Sequence, residues 1–178
     1  MKGILFNVVQ QVVETQFGAD AWDDAIDRSD VDGSYTSLGN YPDSDLDRLV
    51  GSLGEPIEMS RNEVLAFLGR HGFGHLAARH ADLLVDFPGW RDVVGHLDDL
   101  IHPEVEKIYA DATPPSFTVF DQDDGSLRMV YESGRQLCSL AEGLLLGLGD
   151  WFDCPLSVSH LECVRNGDPT CTLVVVEQ

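Results

Sequence analysis

The hydrophobic pattern of this chain changes its period near Pro114 and Pro115, and that change limits the folds it can adopt. Before the prolines, apolar residues recur every three or four positions, as they do along one face of a helix. After them, apolar and polar residues alternate, which is typical of strands. Helical structure stops at the prolines because proline lacks an amide donor and biases its predecessor towards extended geometry. Helices first and antiparallel strands later predict an α+β fold.

Several helix boundaries can be placed in the first half of the chain. An amphipathic helix runs from the amino terminus to Gly18, and a turn-rich loop over 30–43 separates two short helices. Ser60 and Glu63 form a capping box that starts another helix, which extends to about Arg79.

The second half reads as two hairpins that are separated by a helix. Strands are predicted over 116–121 and 126–133, then a helix over 136–152, then strands over 156–164 and 170–176. Together these segments predict a four-stranded antiparallel sheet accompanied by helices.

The charge balance excludes several classes of partner. The chain has 31 acidic residues against 11 lysines and arginines, a formal net charge of -20, which repels nucleic acid and acidic lipid. No apolar run approaches the roughly 20 residues that a membrane helix needs, and no cleavable signal follows the amino terminus. A cytoplasmic protein is therefore expected. With 43% hydrophobic residues, the chain is also expected to form one compact domain.

Three polar residues alternate at the end of the second predicted strand. Tyr131, Ser133 and Arg135 would point the same way on an extended segment, and all three can donate hydrogen bonds. Such a group suits an anion with several oxygens, such as a pair of carboxylates. The alternative is an ordinary strand edge that faces solvent.

His102 lies on a predicted helix from about Trp90 to Ala110, at the margin of its apolar stripe. Pro103 removes the hydrogen bond to the carbonyl of Asp99, which predicts a kink where His102 emerges. His102 is therefore either a ligand that reaches into a cavity or a satisfied residue at the edge of the core.

Three glycines, Gly69, Gly72 and Gly74, fall within one predicted helix. Each glycine destabilises a helix by about 1 kcal/mol relative to alanine, so something is expected to approach the backbone closely there. A flat ligand and a tightly packed neighbouring helix are equally good explanations.

Five segments, in order along the chain, resemble the bacterial H-NOX family, the haem nitric oxide/oxygen binding domains related to the sensor domain of soluble guanylate cyclase. They are MKGILFNVVQQVVETQFG, the loop that holds Tyr35 to Ser37 and Tyr41 to Asp43, LIHPEVEKIY, ATPPSF, and YESGRQLCSLAEGLLLG. The resemblance covers essentially the whole chain. It implies a single H-NOX domain, with a distal helical lobe over about 1–60, a proximal α/β lobe over about 61–178, and haem b between them.

The resemblance also assigns roles to individual residues. His102 matches the proximal histidine that ligates haem iron, and Tyr131, Ser133 and Arg135 match the motif that binds the haem propionates. Pro115 matches a proline that presses on the porphyrin, whereas Leu5 and Leu144 match apolar pocket positions.

Ligand choice is expected to depend on Leu140. Family members that hold oxygen have a tyrosine at this position, and the polar residues that support it are replaced here by Val9 and Gly72. The resemblance therefore implies a sensor that binds nitric oxide, and also carbon monoxide, without forming a stable oxygen complex.

The same resemblance implies a signalling protein rather than an enzyme. In the family, nitric oxide weakens the bond from the proximal histidine to iron, and the helix that carries the histidine shifts. The expected partner is a histidine kinase or a cyclic-di-GMP enzyme that is regulated in trans.

Cys138, His160, Cys163 and Cys171 form a second candidate site. The closing hairpin brings Cys163 and Cys171 onto facing strands, and three sulfurs with one imidazole suit tetrahedral zinc. Some H-NOX proteins are similar in carrying a structural zinc here; free buried thiols are the alternative, and Cys154 is interpreted as a core thiol. A cysteine-based redox sensor with auxiliary haem is thus the alternative function.

Overall fold

The computed structural model describes residues 1–178. No helix combines the length and the hydrophobicity that a membrane span requires. Seven α-helices and four strands follow one another along the chain. The helices are α1 (Gly3–Phe17), α2 (Ala19–Ser29), α3 (Asp43–Gly54), α4 (Arg61–Arg79), α5 (Trp90–Gly95), α6 (His102–Ile108) and α7 (Cys138–Trp151). The strands are β1 (Ser116–Asp121), β2 (Leu127–Glu132), β3 (Leu156–Glu162) and β4 (Cys171–Glu177).

The predicted starts and ends of the first helices are confirmed. Helix α1 ends at Gly18, whose φ of 93° is a conformation that few other residues adopt readily. Helix α4 begins with the expected capping box, in which the Ser60 hydroxyl accepts from the Glu63 amide and the Glu63 carboxylate accepts from the Ser60 amide at 2.8 Å.

The prediction of one continuous helix from Trp90 to Ala110 is wrong. The segment is divided into α5, a π-helical turn over Leu97–Ile101, and α6, which begins at His102. In the π-helical turn the Ile101 amide donates to the carbonyl of His96, five residues earlier, at 2.9 Å. Pro103 stands in the first turn of α6, where its missing amide donor is tolerated, so the break precedes the proline.

The four strands form one antiparallel sheet in the order β1-β2-β4-β3. The predicted sheet is confirmed, although β2 ends at Glu132, one residue earlier than expected. Because β2 lies between β1 and β4, Tyr131 pairs with Phe117 on one side and with Cys171 on the other.

Two hydrophobic cores are present. One is formed by α1 to α4 and includes Phe6 and Leu49, and the other lies between the sheet, α5 and α7 and includes Met129 and Leu173. Helix α4 begins near residue 60 and contributes to the first core. The expected lobe boundary at that point stays a prediction.

Helices α4 and α7 cross at their glycines. A Cβ on Gly69 would collide with the carbonyl oxygen of Leu140 and lie 2.8 Å from the amide nitrogen of Leu144. Gly72 is closely approached by the side chain of Val8, whereas Gly74 has open space beside it. Tight helix packing, one of the two explanations for this glycine run, therefore accounts for Gly69 and Gly72.

Candidate functional site

A cavity of about 350 Å³ lies between the two cores, and most of the residues that line it are hydrophobic. This volume falls within the range of small-molecule and cofactor sites. The cavity brings together all eight residues expected at the haem site: Leu5, His102, Pro115, Tyr131, Ser133, Arg135, Leu140 and Leu144.

Among the residues that line this cavity, His102 is the one that was predicted to bind the metal. Its Nδ1 lies 3.1 Å from Oδ1 of Asp98, and its side chain is 17% exposed. Burial lowers the pKa of His102 below its ordinary value, although Asp98 acts in the opposite direction. The imidazole is therefore neutral at neutral pH, which is the form that ligates metals.

Tyr131 lies on β2, whereas Ser133 and Arg135 lie in the turn that follows the strand. Burial raises the pKa of Tyr131, so its phenol stays protonated; its oxygen accepts from the amide of Leu137 at 3.2 Å. The Ser133 hydroxyl accepts from the Arg135 amide at 3.2 Å. The expectation that all three share one extended segment is wrong, but the turn still directs them to the same cavity.

Arg135 is held by two residues that the sequence analysis did not assign to the site. Its Nε donates to Oδ2 of Asp43 at 2.9 Å, and its terminal nitrogens donate to the carbonyl and hydroxyl oxygens of Thr113 at 2.6 and 2.7 Å. The amino group of Met1 also donates to Asp43, and these hydrogen bonds lower the pKa of that carboxyl. The sequence did hold one signal for Asp43, because this residue belongs to the segment Tyr41-Pro42-Asp43, which resembles the family.

The wall supplied by α1 and α7 carries only aliphatic side chains, namely Ile4, Leu5, Leu140, Ala141, Leu144, Leu145 and Leu148. Val9 and Gly72 do not line the cavity and are buried behind this wall. A small ligand bound against α1 and α7 would meet no side-chain hydrogen-bond donor from these two helices.

The second predicted site is only partly assembled. Cys138, Cys163 and Cys171 are buried, with the Sγ of Cys163 lying 3.7 Å from that of Cys138 and 3.6 Å from that of Cys171. His160 is outside this group, because its Nε2 lies 2.9 Å from Oε2 of Glu142. The structure therefore brings three of the four predicted zinc ligands together.

Arg165 is a further residue that the sequence analysis missed at this cluster. Its Nε donates to the Sγ of Cys163 at 3.0 Å, and its Nη1 donates to the hydroxyl of Ser139. Burial raises the pKa of Cys163, but the hydrogen bonds with Arg165, Cys171 and Cys138 together outweigh burial and lower it overall. Burial is the main reason that the pKa of Cys138 is raised, so the cluster favours a thiolate at Cys163.

The proteins that are similar to this chain in sequence and in structure point to the same family. The sequence profile of the Haem-NO-binding family matches residues 2–160. An H-NOX protein from S. oneidensis, solved in the Fe(II)NO ligation state, superposes with a TM-score of 0.93 at 31% identity, covering 100% of this chain and 99% of that one. The unliganded Fe(II) H-NOX protein from K. algicida superposes with a TM-score of 0.87 at 27% identity, covering 100% and 97%.

Among curated proteins, the soluble guanylate cyclases gcy-32 and gcy-34 of Caenorhabditis elegans are 26% and 25% identical over 149 residues. These matches cover 76% of this chain but only 20% of each cyclase. The chain thus spans about a fifth of the length of these relatives.

The fold and its cavity define a haem-based gas-sensing domain, which is related to soluble guanylate cyclase and is not itself catalytic. The chain belongs to the Haem-NO-binding family, the H-NOX domains. The expected α+β H-NOX fold is thereby confirmed.

Proposed function

We propose that this protein is a nitric oxide sensor in which His102 is the proximal ligand of haem iron. The observation that carries the proposal is the mostly buried imidazole of His102 at the wall of an apolar cavity in an H-NOX fold. Bound haem b would supply a ferrous iron that takes up diatomic gases. The cavity fits such a group, because it pairs an apolar interior with hydrogen-bond donors from Tyr131, Ser133 and Arg135.

These three donors are proposed to hold the two propionates. Arg135 is already oriented by Asp43 and Thr113, so its guanidinium is fixed before a second anion arrives. The Tyr131 phenol stays protonated and can donate, because burial raises its pKa. Pro115, Leu5 and Leu144 would contact the flat faces of the group, since they line the same cavity.

The choice of gas is proposed to follow from the aliphatic wall. Bound oxygen gains stability from a nearby hydrogen-bond donor, whereas nitric oxide and carbon monoxide bind ferrous iron without one. Leu140 and its neighbours on α7 offer no such donor. Structures of the S. oneidensis relative in the Fe(II)NO and Fe(II)CO states support binding of both gases.

The signal is proposed to leave through α6. His102 is the first residue of this seven-residue helix, and the π-helical turn before it interrupts the helical hydrogen bonds. A change at the imidazole would therefore move a short and locally weakened element. The receiver would be a histidine kinase or a cyclic-di-GMP enzyme that is regulated in trans.

Absorption spectra of the ferrous holoprotein alone and with nitric oxide, carbon monoxide and oxygen test this proposal. We expect spectral shifts with the first two gases and no stable oxygen complex. His102→Gly should lose the native spectrum and recover it with added imidazole. His96→Gly is the control, because His96 precedes the π-helical turn and does not line the cavity. An unchanged spectrum in His102→Gly would refute the assignment of the ligand.

We also propose a structural zinc bound by Cys138, Cys163, Cys171 and His160. The three thiol sulfurs lie within 4.8 Å of one another, close enough to share one ion. Coordination by His160 requires its ring to leave Glu142 or to use its buried Nδ1, which has no hydrogen-bond partner. Metal analysis should find one zinc per chain in the native protein and in Cys154→Ser, and should find none in Cys171→Ser.

One observation favours the alternative of a cysteine redox sensor. The contact of Arg165 with Cys163 stabilises a thiolate, which is the oxidisable form of a thiol. If thiols are the switch, oxidation should still regulate the partner when His102→Gly has removed the iron ligand. If iron is the switch, that variant should no longer respond to nitric oxide.

A further inference from the structure

We propose that Asp98 is a positioning residue that fixes the tautomer of His102 and strengthens its bond to iron. This inference rests on the proposed role of His102 as the iron ligand. It concerns a carboxylate that the sequence analysis did not assign to the site.

Asp98 contacts two hydrogen-bond donors at once. Its Oδ1 lies 3.1 Å from Nδ1 of His102, and its Oδ2 accepts from the backbone amide of Phe117 at 2.7 Å. An ionised carboxylate can only accept hydrogen bonds, so Nδ1 of His102 must carry the proton. The lone pair of the neutral ring is then on Nε2, which is the nitrogen left to bind a metal.

The amide of Phe117 keeps the carboxylate in this orientation. Phe117 is the second residue of β1, so Asp98 joins the π-helical turn to the edge of the sheet. The Phe117 ring also lies beside that of His102, with ring centroids 6.0 Å apart. The imidazole is therefore restrained through its Nδ1, with the Phe117 ring as its neighbour.

The hydrogen bond also has an electronic effect. Donation from Nδ1 to a carboxylate raises the basicity of the other ring nitrogen and so strengthens its bond to a metal. The Asp98 side chain is 37% exposed, so water screens its charge, and the effect depends on the short contact with Nδ1. A stronger bond to iron would oppose the release of His102 when nitric oxide binds, so Asp98 would set how readily the sensor responds.

Asp98→Asn is a sharp test because an amide cannot satisfy both donors. If its oxygen faces Phe117, its NH2 group faces Nδ1 and selects the tautomer that has a proton on Nε2. If its oxygen faces His102, its NH2 group opposes the amide of Phe117. Asp99→Asn is the matched control, because it makes the same charge change in the same turn without a side-chain hydrogen bond to lose.

The measurement is the iron–histidine stretching band of the ferrous holoprotein, recorded by resonance Raman spectroscopy. Asp98→Asn should move this band to lower frequency or abolish it, and Asp99→Asn should match the native protein. With nitric oxide, release of His102 should be faster in Asp98→Asn by about tenfold or more, the size typical of lost outer-shell partners of metal ligands.

If Asp98→Asn does not fold, Asp98→Ala answers the same question, because it removes the acceptor without adding a donor. A native band and a native release rate in whichever variant folds would overturn the proposal. Failure of the parent proposal looks different, since His102→Gly would then keep the native band.

Discussion

Arg135 and Asp43 form an ion pair across 92 residues of chain, with Nε of the arginine 2.9 Å from Oδ2 of the aspartate. Asp43 is the exposed first residue of α3, a helix that contributes to the first core, whereas Arg135 follows β2 in the other half of the fold. The pair therefore joins the two halves of the molecule at the edge of the cavity.

Arg135→Ala should accelerate haem loss from the holoprotein by about tenfold or more, since hydrogen bonds to charged groups contribute about 1.5–3 kcal/mol. Asp43→Asn should have a smaller effect in the same direction, because Arg135 keeps its two contacts with Thr113. Transfer of haem to apomyoglobin measures the rate. Arg128→Ala, an exposed β2 residue outside the cavity, should leave it unchanged. Native retention in Arg135→Ala would remove the arginine from the site.

Leu140→Tyr tests the selectivity proposed for the aliphatic wall. A tyrosine here would place a hydroxyl donor in a wall that otherwise offers none, so the ferrous protein should gain a measurable oxygen complex. Leu140→Phe has nearly the same size without the hydroxyl and should not bind oxygen stably. The absorption spectrum under air reports the outcome, and an oxygen complex in both variants would assign selectivity to cavity size.

Gly69→Ala should destabilise the protein by about 1–3 kcal/mol, because overpacking forces the backbone to shift. The added methyl would meet the backbone of α7 at Leu140 and Leu144. Gly74→Ala is the control in the same helix, since a Cβ there has open space and should stabilise by about 1 kcal/mol through helix propensity. Urea unfolding of the two variants should give shifts of opposite sign, and equal shifts would contradict the packing argument.

The sequence was sufficient for elements whose signals are local. Gly18, the Ser60 capping box and the alternation after Pro115 each determine a boundary within a few residues, and the structure agrees with all three. The π-helical turn before His102 was not predictable, because one extra residue per turn leaves the apolar stripe almost unchanged over so short a segment.

The hydrogen-bond partners of the site residues were the other difficulty. Asp98 contacts His102, and Asp43 contacts Arg135, but in a chain with 31 acidic residues no single aspartate stands out by composition. The contact of Arg165 with Cys163 was missed as well. Glu142 shows the same limit. Sequence pattern grouped His160 with the cysteines, whereas its ring contacts this carboxylate on α7. The pairings of Asp43 with Arg135 and of Glu142 with His160 depend on tertiary packing, because 92 and 18 residues of chain separate the partners.

His80 should make the folded protein less stable as the pH falls. Its Nε2 lies 3.0 Å from the hydroxyl of Tyr109, and burial, with a smaller contribution from Arg79, lowers its pKa below the ordinary 6.5. The unfolded chain then binds a proton at His80 before the folded protein does. The contribution of His80 is thus fully present above pH 6.5 and is lost as the pH falls through the folded-state pKa.

His80→Gln should therefore reduce the slope of unfolding free energy against pH in the acidic range, measured by urea unfolding between about pH 5 and 8. His102 and His160 also titrate, so the difference between variant and native protein is the relevant quantity. Tyr109→Phe is the control. It removes the hydrogen bond but leaves the imidazole buried, so it should lower stability by about 1 kcal/mol while keeping the slope. An identical slope in His80→Gln would show that burial of this imidazole does not contribute to the acid sensitivity of the fold.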